Sequence, residues 1–289
     1  MSYDIVSLYY FIDEFCKSYE EWERHKLLPS TRQRQRECRL RLSEMLTIMV
    51  VFHLSPCKNF KWFYQAYLTY RHGRDFPGLV CYDRFVALMP RLFLPLHLLL
   101  HTLMGEETGI YFMDATHLPV CHNRRIQRNR VFNGMAERGK SSMGWFYGFK
   151  LHIVINHKGQ LMAAKITRGN VDDRAPADAM TANLKGLLCA DKGYISAKLF
   201  KRLYERGLKL IAGIRKGMKN HLMPIYEKIL RRKRFLVETV FDILKTETNI
   251  NHTRHRSPAN AAVNILAALV AYSFKTNKPK LKAMTLIHS

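Results

Sequence analysis

Three acidic residues, far apart in the sequence, have the type and setting for metal-dependent chemistry on phosphates. Asp114 ends the apolar run Tyr111-Phe-Met, Asp191 follows the apolar segment 186–190, and Glu238 lies beside an apolar helical stripe. Carboxylates a few Å apart repel unless a cation lies between them, and hard divalent ions prefer such oxygen ligands. Two ions roughly 3.5–4 Å apart can activate an attacking oxygen and stabilise the leaving one. We therefore predict that Asp114, Asp191 and Glu238 are catalytic and bind Mg²⁺, for which Mn²⁺ can substitute.

The segments that must position these acids alternate between strand and helix patterns. Their order, three strands, helix, strand, helix, strand and helix, predicts an α/β fold with a ribonuclease-H-like mixed five-stranded sheet and flanking helices. In that topology the first and fourth strands are neighbours, so Asp114 and Asp191 lie at one edge of the sheet. The predicted strands are Ile110–Thr116, Trp145–Asn156, Leu161–Thr167, Gly186–Ala190 and Leu208–Ile214, and the predicted helices are 172–184, Ser196–Arg206 and Tyr226–Lys245.

The charge balance indicates a polyanionic partner. The 289-residue chain carries 47 Lys and Arg against 23 Asp and Glu, a formal net charge of +24. Nucleic acid is the commonest partner for such a field, although a generally basic surface without a specific partner is the alternative on charge alone. A hydrophobic content of 47% with 24% charged residues is typical of a globular chain and excludes a disordered one.

The N-terminal part, residues 4–104, shows helical periodicity throughout, and Gly105–Gly109 marks a boundary. We expect a helical DNA-binding region at 1–104, a catalytic domain at 105–275 and a basic C-terminal tail at 276–289. A last helix, Ala259–Phe274, is apolar nearly all round and is expected to pack behind the sheet. The predicted N-terminal helices are Asp4–Cys16, a helix that opens in the Arg-rich segment 31–41 and runs to about His53, Phe60–Leu68, Leu79–Met89 and Arg91–Met104.

The cysteines and apolar runs favour a soluble intracellular protein. Six scattered cysteines without a C-x-x-C pair argue against a disulfide framework and a zinc site. The pair Cys121-His122 has no second Cys/His pair at a suitable spacing. No signal peptide opens the chain, and its apolar runs are short or are interrupted by Pro95 and His97, so we expect no membrane span.

Each of the three acids also has an ordinary structural explanation. Asp114 can be a turn residue, Asp191 a helix cap, and Glu238 an intrahelical partner of Arg234 one turn earlier. Asp242 lies one turn after Glu238 and competes with it for the third position. For any one acid the structural explanation is as good as the functional one, whereas all three together in so basic a chain favour function.

Motifs spread over most of the chain carry a family resemblance. They are Asp114–Asn123, Arg138–His152, Gly169–Arg174, Ala190–Tyr194, Leu230–Val240 and His252–Ser257, with Phe60–Tyr64 and Cys81–Phe85 in the N-terminal half. In their order and spacing they resemble transposases of insertion-sequence family 982, within the larger group that has an Asp-Asp-Glu catalytic triad.

The resemblance implies a reaction and its partners. It makes Asp114, Asp191 and Glu238 the triad of an enzyme that cleaves at the ends of a mobile element and transfers the freed 3′-hydroxyls into target DNA. The partner is then double-stranded DNA, both the terminal inverted repeats of the element and the target. The resemblance also implies a homo-oligomer on DNA. It implies a location in the prokaryotic cytoplasm, in association with the nucleoid. The alternatives are a structure-selective DNA nuclease on the same fold and an inactive DNA-binding derivative.

Basic residues near the acids are candidates for binding DNA. Related transposases carry Tyr-x-x-Arg-x-x-x-Glu-x-x-x-x-x-x-Lys around the last acid. Here Arg234, Glu238 and Lys245 match, and Arg231 stands at the Tyr position. We expect Arg234 and Lys245 to position phosphates. The other predicted DNA-binding residues are Lys150, Lys192, Arg231, Arg232, Lys233, Arg254 and Arg256, although Lys192 can equally be an ordinary surface lysine. The basic segment His122–Arg130 can line the same groove.

Overall fold

A computed structural model describes residues 4–26, 38–141, 144–213, 223–251 and 255–281. These residues form two compact units. The helical unit contains the described residues of 4–103, 244–250 and 255–274, and the sheet unit contains those of 104–243, 251 and 275–281. The helices are α1 (Ile5–Lys26), α2 (Leu42–Leu54), α3 (Phe60–Trp62), α4 (Thr69–His72), α5 (Tyr82–Leu88), α6 (Phe93–Thr102), α7 (Ala177–Met180), α8 (Ala197–Glu205), α9 (Ile225–Arg232), α10 (Phe235–Thr246) and α11 (Pro258–Phe274). The strands are β1 (Ile110–Cys121), β2 (Glu137–Ser141), β3 (Gly144–Asn156), β4 (Leu161–Arg168), β5 (Gly186–Cys189) and β6 (Leu208–Ile211).

The helical unit is built around two apolar helices. Helix α11 contacts both α2 and α6, and α1 contacts α2. Most side chains of α2 and α11 are buried, as the all-round apolar pattern of the last helix predicts. The sequence placed α11 behind the sheet, but the structure assigns it to the helical unit. An apolar pattern predicts that a helix is buried without specifying which layer covers it.

The N-terminal helices differ from their predicted bounds at several points. Helix α1 continues well past Cys16, because its apolar stripe persists through Tyr19. Helix α2 begins at Leu42, so residues 38–41 are not helical, and most of the Arg-rich segment lies outside the described residues. The segment Phe63–Leu68 is helical as predicted, but it forms a π-helical turn.

One stretch of the described residues, Tyr82–Thr102, is long and apolar enough to cross a membrane by length and composition alone. It combines α5, a 3-10 turn at Met89–Leu92 and α6, and 44% of its apolar window is buried inside the protein. Core helices pass the same criterion.

The sheet has six strands in the described residues, and the order of five of them is β4-β3-β1-β5-β6. Strand β1 is antiparallel to β3 and parallel to β5, and β5 is parallel to β6. This is the ribonuclease-H-like arrangement that the sequence predicts. The sixth strand, β2, was not predicted, and it pairs with the first half of β3 while β4 pairs with the second half.

A hydrophobic core covers one face of the sheet. It contains Tyr111 and Met113 of β1 and Leu188 of β5, packed with Leu199 and Leu203 of α8. Side chains alternate between the two faces of a strand, so Phe112 and Asp114 project from the opposite face of β1. The second face of the sheet therefore carries Asp114.

Two predicted helices have different lengths in the structure. The helix expected over 172–184 is reduced to α7, because the carboxylate of Asp172 accepts hydrogen bonds from the backbone and guanidinium of Arg174 at 2.9 Å and holds a turn. The long helix expected over 226–245 is interrupted between α9 and α10. At this break the backbone N–H groups of Leu236 and Val237 donate to carbonyls three residues earlier, each at 3.1 Å.

Candidate active site

The register of β1 and β5 places two of the predicted acids together. Phe112 and Cys189 are the last paired residues of these parallel strands. Asp114 and Asp191 each follow two residues later, so their side chains lie at the same edge and on the same face of the sheet. Gly186 makes this pairing possible, since its φ is +113° and a Cβ there would collide with the carbonyl oxygen of Gly109.

Asp114 is the most deeply enclosed of the three acids, with 21% of its side chain exposed. Its carboxylate accepts hydrogen bonds from the backbone N–H of Ala115 at 2.8 Å and from Nη1 of Arg234 at 2.9 Å. The pKa of Asp114 is raised to about 6, mainly by burial and also by the charges of Asp191 and Glu238, against the opposing effect of these two donors. This carboxyl therefore lies in the electrostatic field of both other acids.

Glu238 is brought to Asp114 by the start of α10. The buried side chains of Val237, Val240 and Phe241 form the apolar face of this helix. Nη2 of Arg234 lies 2.5 Å from Oε1 of Glu238, while Nη1 of the same guanidinium contacts Asp114. The guanidinium of Arg234 therefore contacts two acids that are 124 residues apart in sequence, 114 to 238.

Asp191 is exposed and begins the short 3-10 turn Lys192–Tyr194. Its carboxyl charge raises the pKa of Asp114 and also that of the buried Tyr194 hydroxyl, for which burial is the larger cause. The strand register and these electrostatic effects place Asp191 near Asp114.

Two residues near the acids were not singled out from the sequence. The Tyr194 hydroxyl is buried without a hydrogen-bond partner, and its pKa is raised by burial and by Asp114, Asp173 and Asp191. Asp173 is therefore a fourth acid whose charge acts on Tyr194. The pattern Gly169–Arg174 carried the only sequence signal for Asp173, which was interpreted as a residue in the first turn of a helix.

The donor set suits a hard divalent cation, because carboxylate oxygens brought together against their repulsion are the ligands that Mg²⁺ prefers. In the part of the chain that the structure describes, no three His, Cys, Asp or Glu side chains are grouped to hold an ion. The guanidinium of Arg234 lies between Asp114 and Glu238. An ion that contacts both carboxylates requires this guanidinium to move aside.

The other predicted DNA-binding residues lie at different places. Lys192 is exposed directly after Asp191, Arg231 and Arg232 are exposed in the last turn of α9, and Lys233 lies over the ring of Phe235 at 5.9 Å. Lys245 is in the last turn of α10. Arg256 is exposed in the helical unit, and Arg254 lies outside the described residues.

Lys150, predicted to contact DNA, has intramolecular partners in the structure. It projects from the face of β3 opposite to Asp114, and only 16% of its side chain is exposed. Its Nζ donates to the carbonyl of Val171 and to the carboxylate of Asp173, both at 2.9 Å. The ion pair with Asp173 was not predicted from the sequence, and the role of Lys150 in DNA binding stays a prediction.

Comparison with known families agrees with the geometry. The transposase DDE domain matches residues 104–258, more than half of the 289-residue chain. Domains of this family have a ribonuclease-H-like fold, generally use divalent metal ions and act in DNA transposition and recombination. No curated protein matches the chain. The match and the shared fold together show that this chain belongs to the transposase DDE-domain family.

Proposed function

We propose that this protein is a DNA transposase of insertion-sequence family 982, which cleaves DNA at the ends of a mobile element and transfers the freed 3′-hydroxyls into target DNA. The observation that carries the proposal is the shared guanidinium of Arg234, which contacts both Asp114 and Glu238. The register of β1 and β5 supports the inclusion of Asp191, because it puts Asp191 at the same edge of the sheet as Asp114. Convergence of acids from β1, β5 and α10 is the arrangement that metal-dependent phosphoryl transfer needs.

Asp114, Asp191 and Glu238 are the proposed metal ligands and catalytic residues. Bound Mg²⁺ or Mn²⁺ would activate the attacking oxygen and stabilise the leaving oxygen of the phosphodiester. Enclosure of Asp114 orients its carboxylate, since the Ala115 N–H fixes one oxygen and leaves the other toward Arg234. The guanidinium of Arg234 has two donors, and it can also bind a phosphate oxygen once the guanidinium has moved away from the carboxylates.

Basic residues around the acids are proposed to hold the DNA backbone. Exposed Lys192, Arg231 and Arg232 adjoin the acids in sequence, and Lys245 and Arg256 extend the set. Lys150, Lys233, Arg234 and Arg254 complete the proposed set, and Lys150 also donates to Asp173. The proposed DNA partners are the element ends and the target, and the helical N-terminal region takes part in binding them. The proposed active form is a homo-oligomer on DNA. Its proposed location is the prokaryotic cytoplasm, at the nucleoid.

A cleavage and strand-transfer assay tests the proposal. The substrate is a duplex carrying the inverted repeats that flank the gene, mixed with a target plasmid and Mg²⁺. The wild-type chain should cleave the element end and join it to the plasmid. Asp191→Asn and Glu238→Gln should each lower both products at least about 10³-fold while retaining DNA binding. Glu107→Gln, which removes an exposed acid of the same unit, should leave both products unchanged.

Three outcomes would overturn parts of the proposal. Cleavage by the wild-type chain without a joined product would make the protein a nuclease. DNA binding without cleavage would make it an inactive binding derivative. Full activity of either acid variant would remove that residue from the catalytic group.

A further inference from the structure

A basic and aromatic surface lies on the insert between β1 and β3, beyond the three acids. We call it the Trp145 patch and define it as Arg124, Arg125, Arg128, Arg138, Lys140 and Trp145, all of them exposed. Between residues 121 and 141 the sequence has six Arg and Lys residues against one acid, Glu137. Trp145 has 64% of its surface exposed. A single exposed aromatic is ordinary on a soluble protein, but one set among so many cations needs a reason.

The patch is fixed to the sheet and not carried on a free loop. Lys140 pairs with Trp145 across β2 and β3, and its Nζ lies 5.8 Å from the indole ring. The side-chain amide of Asn123 donates to the carbonyl of Trp145 at 2.7 Å, which ties the 3-10 helix Asn123–Arg128 to the start of β3.

Below the patch, the ring of Phe132 packs edge-on against Phe149 at 5.7 Å and its carbonyl accepts a hydrogen bond from the Tyr147 hydroxyl. These contacts make the part of β3 next to Trp145 rigid, so the exposed indole is carried on a fixed strand.

The strand pair also sets the distance from the patch to the acids. From Asp114, strand β1 continues for seven residues to Cys121, which pairs with Tyr147 of β3, and Trp145 lies two residues beyond Tyr147. At about 3.3 Å per residue, these nine steps span about 30 Å, and about 25 Å once twist and the bulge near Pro119 are allowed for. Duplex DNA rises about 3.4 Å per base pair, so this length corresponds to seven to nine nucleotides, by order of magnitude.

We propose that the Trp145 patch binds the DNA substrate about seven to nine nucleotides from the phosphate at the acids. In this arrangement the arginines contact the backbone and the Trp145 indole stacks on an unpaired base. The inference rests on the proposed function for the identity of the substrate. Cations with an exposed aromatic side chain are the combination that holds unpaired nucleic acid, because every base offers a π-face to stack on. A paired base cannot supply that face, so the patch favours DNA that is locally opened.

Binding without catalysis tests the patch separately from transposition. The full chain is titrated in EDTA, by fluorescence anisotropy, against a 30-base-pair duplex and against the same duplex with one unpaired nucleotide. Trp145→Ala should weaken binding to the DNA with the unpaired nucleotide about 5- to 150-fold, the range for one stacked base, and should change fully paired binding less than about 2-fold. Tyr204→Ala is the matched control, since Tyr204 is 63% exposed on the same unit.

The charged part of the patch has its own test. Replacing Arg124 and Arg125 together by Gln should weaken binding to both DNAs alike and lower the slope of log affinity against log salt by about 2. Replacing the exposed pair Lys198 and Lys201 of α8 should not. The stacking is refuted if Trp145→Ala behaves as Tyr204→Ala does, and the backbone contact is refuted if the two double variants have the same slope.

The position is tested with 2-aminopurine, a fluorescent base, placed along the element-end duplex. Quenching that depends on Trp145 should be greatest seven to nine nucleotides from the cleavage site, and a maximum elsewhere overturns the proposed location. These results stand apart from the proposed function. A chain that fails to cleave can still show the stacking, and a chain that cleaves normally without the stacking refutes only the patch.

Discussion

Replacing Asp114 with Asn should make the protein more stable at neutral pH, although Asp114 is a proposed catalytic residue. Burial is the main reason that the pKa of this carboxyl rises from 3.8 to about 6. The folded protein therefore holds the proton more tightly than the unfolded chain, and its free energy of unfolding falls as the pH rises from about 4 to about 6. At 1.36 kcal/mol per pKa unit, the charged carboxylate costs about 3 kcal/mol above pH 7. Asn carries no charge and avoids this cost.

The stabilisation by Asp114→Asn should therefore depend on pH in a defined way. It should be near zero at pH 4, increase through pH 6 and reach up to about 3 kcal/mol at pH 7–8. Urea unfolding in EDTA, followed by circular dichroism at several pH values, measures it. Because the chain has two compact units, hydrogen exchange of peptides from β1 and β5 should report the change in the sheet unit.

The control for this experiment is Glu107→Gln, which removes an exposed acid from the same unit and should change stability by less than about 0.5 kcal/mol at any pH. The reasoning is refuted if Asp114→Asn is less stable than the wild-type protein at pH 7. It is also refuted if the stabilisation is the same at pH 4 and pH 8, since ionisation of the carboxyl would then not be its cause.

Two further predictions concern the groups around this acid and the opposite face of the sheet. Arg234→Gln removes both guanidinium contacts and should destabilise the protein by about 1–3 kcal/mol in urea unfolding, less than for a fully buried pair because Glu238 is 51% exposed. Adding Asp114→Asn to that variant should recover most of the loss, and strict additivity in the double-mutant cycle would contradict the pairing. His152 is buried beside the Thr167 hydroxyl at 2.8 Å, and burial lowers its pKa from 6.5 to about 4. Stability should therefore fall by about 3 kcal/mol as the pH drops from 6.5 to 4, and an acid unfolding curve of His152→Gln that retains this loss would assign it to another group.

The positions of Asp114 and Asp191 were predictable because they depend on features that a sequence records. Apolar runs mark buried strands, each acid ends such a run, and the order of strands and helices determines which strands are neighbours. The sheet order and the pairing of β1 with β5 confirm that these two strands are neighbours. Local pattern and topology were sufficient here, since neither acid depends on a particular long-range side-chain contact.

The break between α9 and α10 was not predictable from the same signals. No Gly or Pro lies between Lys228 and Lys245, and the apolar spacing continues across the break. The interruption at Lys233 and Arg234 coincides with the contact between the Arg234 guanidinium and Asp114, 120 residues earlier. A tertiary contact of this kind overrides local helix propensity and leaves no trace in the spacing.

Strand β2 was missed for a related reason. Its sequence, Glu-Arg-Gly-Lys-Ser, has no β-branched residue and lacks the alternation of a half-buried strand. The long strand β3 extends beyond the end of β4, and the backbone groups on that edge need partners, which Glu137–Ser141 provides. This segment is a strand because the backbone of β3 needs hydrogen-bond partners, and not because of its own composition.

The parallel register of β1 and β5 also determines where the chain can change length. An insertion of one residue between Ile110 and Asp114, or between Gly186 and Asp191, would turn one carboxylate toward the α8 side and separate the pair. The long crossover from 122 to 185 joins the same two strands, and additions there leave both ends of the register in place. Homologues and engineered forms should therefore accept indels and fused peptides at the exposed turns of that crossover, such as 133–135, outside β2, β3 and β4. They should reject indels within a few residues before either aspartate.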